Sequence, residues 1–522
     1  MPAQFPWLTT LIVVPLLGAA VVWALPGAAR RHARPVAIGV ALVELVLAVV
    51  AALSFDTSQA GVHQLAEKAA WIPSLGVSYA VGVDGVGLAL VLLSVLLTPL
   101  VLLAAWREHP DVHPDGLHVE GGSRIRHYVA LILVLEAFMV AVFAARDVFF
   151  FYVLFEAMLI PVYFMIGAFG GAGRRYAAVK FLLFSLAGGL VMLVGVITLY
   201  LHGPRGDEGF LIDNLVGNVS MSTTTQRLVF LAFFIAFAIK APMWPVHTWL
   251  PDTAEQAPVG TSVLLVGVLD KVGTFGMLTL CLPLFPEASR WAAPVIIVLA
   301  VISILYGGLL AIGQQDLMRL IAYTSVSHFG FIVLGIFAFT SVSVQGSSLY
   351  MVNHGLSTGA LFLVAGFLVA RSGSARISDH GGLQKVVPVL AGTFLVAGLS
   401  ALSLPGLSTF VSEFLVLVGT FGAYKAAAVV AAFGVVLAAL YVLLTYQRAF
   451  TGPVRDDLPP MKDLTLRERW VVGPLIAAML VLGFYPALAL DLVREPASVT
   501  LEQVGVDDVT PTLALSVDGS DQ

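Results

Sequence analysis

Ionisable side chains stand inside stretches that otherwise read as continuous hydrocarbon: Glu136, Glu156, Lys180, Lys240, Lys271, His328, His354 and Glu413. A charge at the centre of a membrane helix costs about 2.5 to 3.5 kcal/mol on insertion scales, so a chain that keeps several needs a use for them. Few other ionisable groups lie so deep. Glu156 and Lys240 fall in neighbouring segments and form the natural ion pair: a glutamate close by keeps the ammonium charged, and moving it away lets the proton leave. Lys271, His328 and His354 continue the line toward Glu413, with water in the intervals, because neutral imidazole accepts a proton at one nitrogen and releases one from the other. Glu156, Lys240, Lys271 and Glu413 are the main relay candidates.

Each of these residues has a plainer reading. A lone buried histidine is more often a satisfied hydrogen-bonder, and Glu136 and Lys180 lie nearer segment ends, where they can snorkel. Asp270, beside Lys271, is read as facing another side of its helix and pairing with a neighbouring loop or chain. His247 and Asp252 fall near the inner surface, where gating or structural roles suit them as well as proton transfer. His247, Asp252 and Glu255 lack a recognised ligand spacing, so no metal site is expected.

Two short stretches show how the charges are placed. "FFIAFAIKAPMWPVHTWLPD" (233–252) sets Lys240 at the end of an apolar run and follows it with Pro242, Pro245 and Pro251. "GLSALSLPGLSTFVSEF" (398–414) again interrupts an apolar run, with Leu-Pro-Gly, and places Glu413 beside the interruption. Irregular backbone at membrane depth is tolerated only where protein encloses it or it lines a hydrated cavity. An ordinary proline kink is the simpler reading, but the charge beside each break argues for a site.

The elements that must hold these residues are membrane helices. Hydrophobic residues make up 59% of the 522 and charged residues 11%. Apolar stretches of about 18 to 25 residues recur about fourteen times, and their continuous runs contradict the alternation of a barrel. The expected fold is an all-α polytopic membrane protein of about 14 transmembrane helices. The interrupted segments are the seventh and twelfth, five helices apart. Five is odd, so this predicts two inverted five-helix repeats, helices 4–8 and 9–13, with broken helices 7 and 12. The corresponding division is 1–126 for helices 1–3, 127–283 and 284–450 for the repeats, and 451–522 for helix 14 and an acidic tail, weakly ordered from Glu495.

Arg30, Arg31 and Arg34 follow the first segment, the pattern of a retained helix rather than a cleaved signal. Basic residues concentrate in alternate loops, which puts both termini on the outer side. The hydrophilic stretches 56–83, 107–126 and 203–226 are too short to be catalytic domains. The single Cys281 excludes disulfides and a cysteine-ligated iron–sulfur cluster within the chain. "GVDGVG" at 82–87 lacks the strand–helix context of a nucleotide site, and no basic or aromatic surface suggests nucleic acid.

Four stretches carry a resemblance: "KAPMWPVHTWLPDTAEQAPVGTSVLLVGVLDKVGTFG" (240–276), "DLMRLIAYTSVSHFGFI" (316–332), "NHGLSTGALF" (353–362) and "FFFYVLFEAMLIPVYFMIG" (149–167). They resemble the proton-translocating antiporter-like subunits of respiratory complex I, and are most similar to the subunit M group of bacterial NADH-quinone oxidoreductase, which has a glutamate where Glu413 stands. The resemblance implies a helix 5 glutamate, Glu156, paired with Lys240, a central lysine at Lys271, and an outlet residue at Glu413. It further implies a helix 4 glutamate that couples neighbouring subunits, Glu136, and a polar axis through His328 and His354. It implies a membrane-arm subunit that translocates protons, with no redox chemistry of its own. NADH, FMN, iron–sulfur clusters and quinone are then expected in partner subunits, with L-type and N-type antiporter-like neighbours, a redox arm and the plasma membrane of a bacterium. The alternative is a subunit of a multi-subunit Na+/H+ antiporter, which shares most motifs; a spacer that has lost proton transfer would not need the buried charges. The chain departs from the family at Met318, where a basic residue is usual, and at Asp270, usually apolar.

Overall fold

The structure, a computed structural model, describes residues 5–107, 123–206 and 208–508. Among the described residues twelve helices are long and apolar enough to cross a membrane. In chain order, helices 1 to 11 are Trp7–Ala24, Ala29–Leu53, Gly85–Ala104, Arg124–Ala144, Val148–Phe169, Arg174–His202, Thr223–Lys240, Val259–Leu284, Pro286–Gly313, Leu317–Phe337 and Ser341–Ser372, and helix 13 is Lys425–Phe450. Helix 12 comes as two shorter apolar halves, Pro388–Ala401 and Ser408–Ala423, and helix 14, Leu466–Phe484, is followed at a 67° bend by Ala487–Val504. The interruptions thus fall where the sequence puts them, in the seventh and twelfth segments.

The helices sort into an inner and an outer set. Helices 8, 10 and 11 are 94%, 94% and 89% buried, against 33%, 28% and 33% for helices 1, 2 and 13. The outer helices expose large apolar side chains such as Leu17, Val46, Phe433 and Val436, the surface expected to meet lipid. Lys271, His328 and His354 therefore ride on the helices with least exposure.

Helix 7 ends at Lys240, and the chain passes through 241–248 before the short helix Trp249–Gln256. Proline cannot donate to the preceding turn, and the carbonyls it strands need other partners. Trp249 supplies one: its Nε1 donates to the Ile239 carbonyl at 2.9 Å. In helix 12 the gap holds Pro405, Gly406 at φ 92° and Ser403 at φ 61°. Ser403 is in the left-handed region that non-glycine residues rarely adopt.

One local arrangement is built twice. Asp147 opens helix 5 with its side chain accepting from the Phe149 and Phe150 amides, and Asp316 opens helix 10 by accepting from Met318 and Arg319. Each aspartate also forms an isolated bridge to the chain leaving the next helix, Asp147 to Leu211 and Asp316 to Arg376.

Three features differ from the sequence reading. Residues within the 56–83 stretch form an antiparallel hairpin, Gln64–Ile72 with Val77–Val83, turned at Gly76 in the left-handed region; one strand is largely open and the other almost wholly buried, so neither alternates. The segment after Glu495 is not loose but helical to Val504, because Val493, Ala497, Leu501 and Val504 make a buried stripe at helical spacing. Helix 8 contains two π turns, Leu265–Leu269 and Met277–Cys281, which flank Lys271–Gly276. Of the 107–126 stretch, 108–122 lie outside the described residues, as does the acidic end of the tail beyond Asp508.

Candidate functional site

Lys240 closes helix 7 with its side chain fully buried. Its Nζ lies 5.1 Å from the Phe155 ring centre and 5.8 Å from that of Phe181, and has no hydrogen-bond partner. The expected Glu156–Lys240 ion pair is therefore not closed. Glu156 is half-buried, one of its oxygens is unpartnered, and it remains within electrostatic reach of Lys240. The reason is local: Phe155 puts its ring against the ammonium, a cation–π contact, while Glu156 turns onto Gly189 of helix 6. A Cβ at Gly189 would stand 1.5 Å from the Glu156 carboxylate, so only glycine leaves that seat open.

From Lys271 onward the groups touch. Lys271, fully buried, reaches His354 Nδ1 at 2.7 Å and also donates to the Val266 carbonyl in the π turn. If Nδ1 accepts from the ammonium, the His354 hydrogen sits on Nε2, which has no partner. The His354 and His328 rings meet edge to face with centres 5.2 Å apart. His328 Nε2 is 3.2 Å from the Tyr441 hydroxyl, and its ring centre lies 5.8 Å from that of Tyr350. Tyr350 donates to Glu413 at 2.7 Å, and Ser403 donates to the same oxygen at 2.6 Å. The strained backbone at the helix 12 break is what aims Ser403 at this carboxylate. The other Glu413 oxygen is unpartnered.

The remaining candidates fall elsewhere. Lys180 is half-buried and held by Asp252 at 2.6 Å, and Asp252 and Glu255 both accept from Arg319, at 2.6 and 2.8 Å. This cluster ties the short helix after the helix 7 break to helices 6 and 10. His247 is buried between Tyr306 and Tyr323 with both ring nitrogens unpartnered. Glu136 does not snorkel: it is fully buried in mid-helix with no hydrogen-bond partner at either oxygen. Asp270 does not reach a loop or another chain either; it is fully buried, with both oxygens unpartnered, because helix 8 is enclosed on every side. Among the described residues no group of three or more His, Cys, Asp or Glu side chains could hold a metal ion.

Sequence reasoning passed over Glu44, Tyr350, Tyr441 and Ser403. Glu44 was legible, a lone carboxylate in "VALVELVLAVV"; it is fully buried on helix 2 and within electrostatic reach of Glu136. The two tyrosines gave no signal, since an aromatic in an apolar helix reads as packing.

A family model described as NADH:quinone oxidoreductase/Mrp antiporter, transmembrane, matches residues 145–440. The chain is 48% identical over 533 residues to the NADH-quinone oxidoreductase subunit M of Mycobacterium tuberculosis, covering 98% of this chain and 96% of that one. It is 39% identical over 480 residues to subunit M of Rhodobacter capsulatus, with 89% and 90% covered. Among solved structures it is similar to a chain of respiratory complex I from Thermus thermophilus with bound NADH, at TM-score 0.85 and 31% identity over 96% of this chain and 100% of that one. A chain of the Mrp complex from Dietzia sp. shares the fold, at TM-score 0.83 and 23% identity over 95% and 98%. Matched by the family model over more than half its length, and by relatives from end to end, the chain belongs to the NADH:quinone oxidoreductase/Mrp antiporter family of transmembrane subunits.

Proposed function

We propose that this chain is a membrane-arm subunit of a bacterial proton-pumping NADH-quinone oxidoreductase, moving protons while partner subunits oxidise NADH and reduce quinone. The observation that carries the reading is the buried line from Lys271 through His354, His328 and Tyr350 to Glu413, made of groups that exchange protons and enclosed by protein throughout. No redox group is needed in the chain itself: FMN, iron–sulfur clusters, NADH and quinone belong to partners, and L-type and N-type antiporter-like subunits are the neighbours. Helices 4–8 and 9–13 are inverted copies, a reading supported by the twice-built aspartate arrangement at helices 5 and 10. Both termini lie on the outer side.

Glu156 is the switch. Seated on Gly189, it leaves Lys240 among aromatic rings without a close counter-charge; moved toward Lys240, it holds the ammonium. A disturbance from a neighbouring subunit that shifts Glu156 sends the Lys240 proton onward to Lys271, then through the histidines to Glu413.

Lys240→Ala and Glu156→Ala test this in membranes where assembly is checked on a native gel. The expected result is an assembled complex whose pumping and coupled NADH oxidation fall together, at least about tenfold for Lys240→Ala, which is about 1.4 kcal/mol in barrier. Full activity in an assembled Lys240→Ala complex would overturn the relay.

A further inference from the structure

Between Lys240 and Lys271 the line is open: Lys240 Nζ has no polar partner, and Lys271 turns toward His354 on helix 11. The group that stands between them is Asp270. It is fully buried, both its oxygens are unpartnered, and it lies within electrostatic reach of Lys240 and Lys271 alike.

Its placement follows from helix contacts. At Gly273 helix 8 lies directly on the end of helix 7, where a Cβ would be 2.5 Å from the Phe237 carbonyl and 2.8 Å from the Ala241 amide nitrogen. Residues three apart share a helix face, so Asp270 stands on the face that meets the residues around Lys240. Lys271, one residue on and rotated about 100°, looks the other way. Adjacent residues of one turn thus address the two halves of the path, and the π turn immediately before them sets their angle.

We propose that Asp270 is a proton-carrying residue of this relay, accepting from Lys240 and donating to Lys271; the proposal rests on the relay reading above. In the first step an N–H bond of the Lys240 ammonium breaks and an O–H bond forms on the Asp270 carboxylate, leaving a neutral amine and a carboxylic acid. In the second, that O–H bond breaks and the proton joins the neutral Lys271 amine, restoring the carboxylate. Neither gap is closed by a direct hydrogen bond in the structure, so each transfer proceeds by side-chain swing or across one water.

The test uses the whole complex in membrane vesicles, with Asp270→Asn, Asp270→Glu and Lys240→Ala side by side and assembly checked for each. Proton pumping and coupled NADH oxidation are expected to fall together, about tenfold in Asp270→Asn, and to recover by more than half in Asp270→Glu. Infrared difference spectra on NADH addition, in H2O and D2O, are expected to show a carboxylic acid band that appears on turnover, shifts in Asp270→Glu and is missing in Asp270→Asn. If Lys240→Ala is impaired while Asp270→Asn pumps normally, or if the wild type and Asp270→Glu share an unshifted band, Asp270 carries no proton although the relay stands. If Lys240→Ala itself pumps normally, the relay reading fails first. Should Asp270→Asn not assemble, the band shift in Asp270→Glu decides alone.

Discussion

Tyr350 is the residue whose chemistry the proposed path asks most of, since its ring centre lies 5.8 Å from that of His328 and its hydroxyl donates to Glu413. Tyr350→Phe keeps the ring and removes only the donor. A hydrogen bond to a charged group contributes about 1.5 to 3 kcal/mol, and Ser403 still donates to the same oxygen, so the complex is expected to assemble. Proton pumping and coupled NADH oxidation are expected to drop together, several-fold, measured beside Ser403→Ala as the control that removes an anchor without removing the phenol. Equal loss in both variants would make Tyr350 an anchor as well. The contrast with Glu413 shows what a sequence displays at this scale. An ionisable side chain in hydrocarbon announces itself by its cost, as Glu156, Lys240, Lys271 and Glu413 do, whereas a phenol in the same setting looks like packing until its neighbour is known. Asp270 was legible as a charge on another side of the helix from Lys271, but what it faces was not, because no local pattern in the sequence tells that helix 8 is enclosed by its neighbours.

At the scale of elements, the breaks in helices 7 and 12 were legible from proline and glycine next to a charge, and the π turns were not, since no residue type marks them. What holds the broken helix 7 in place is the Lys180–Asp252–Arg319–Glu255 cluster. Burial pushes the Asp252 carboxyl up, but hydrogen bonds and charge from Lys180 and Arg319 outweigh it and leave it below the usual carboxylate range. A carboxyl lowered on folding contributes stability that is complete above its unfolded value and is lost as pH falls through the lower, folded one. The cluster is therefore expected to stay closed from neutrality down to pH about 4, and acid loss of pumping above that pH arises elsewhere. Hydrogen exchange across 247–256 as pH is lowered checks this: protection should hold to that point, and should be weakened at neutral pH in Asp252→Asn, the two converging once the Asp252 carboxyl is protonated.

For the whole molecule, the C-terminal helix binds together parts of the chain that lie far apart in sequence. The Glu495 carboxylate accepts from the Gly61 amide at 3.1 Å, the Leu492 carbonyl presses on Gly85 at the start of helix 3, and Arg290 of helix 9 donates to the Val504 carbonyl at 2.6 Å. Asp508 accepts from the Ser341 amide at 3.0 Å, at the start of helix 11. Removing residues from Ala487 onward is expected to lower the amount of assembled complex severalfold on a native gel, while Arg290→Ala, which leaves the helix in place, should cost only about 0.5 to 1.5 kcal/mol per hydrogen bond lost. The many-span helical architecture was legible because hydrocarbon thickness dictates length, with twelve or thirteen candidate spans among the described residues; this strap was not, because its charged residues hide a narrow buried stripe.

The division into inner and outer helices also constrains how the protein can be made. Helices 1 and 13, whose apolar stretches hold no buried charge, are apolar enough, and exposed enough, to be released one by one from a translocation channel into lipid. Helix 8 carries Asp270 and Lys271 side by side and shows almost none of its surface outside, so alone in lipid it would meet the full cost of both charges. It can leave the channel cheaply only in company, with helices 7, 10 and 11 already waiting or arriving with it. The residues that would move protons in the finished subunit thus set the order of events in its biogenesis, and the inner helices must enter the membrane as a cohort.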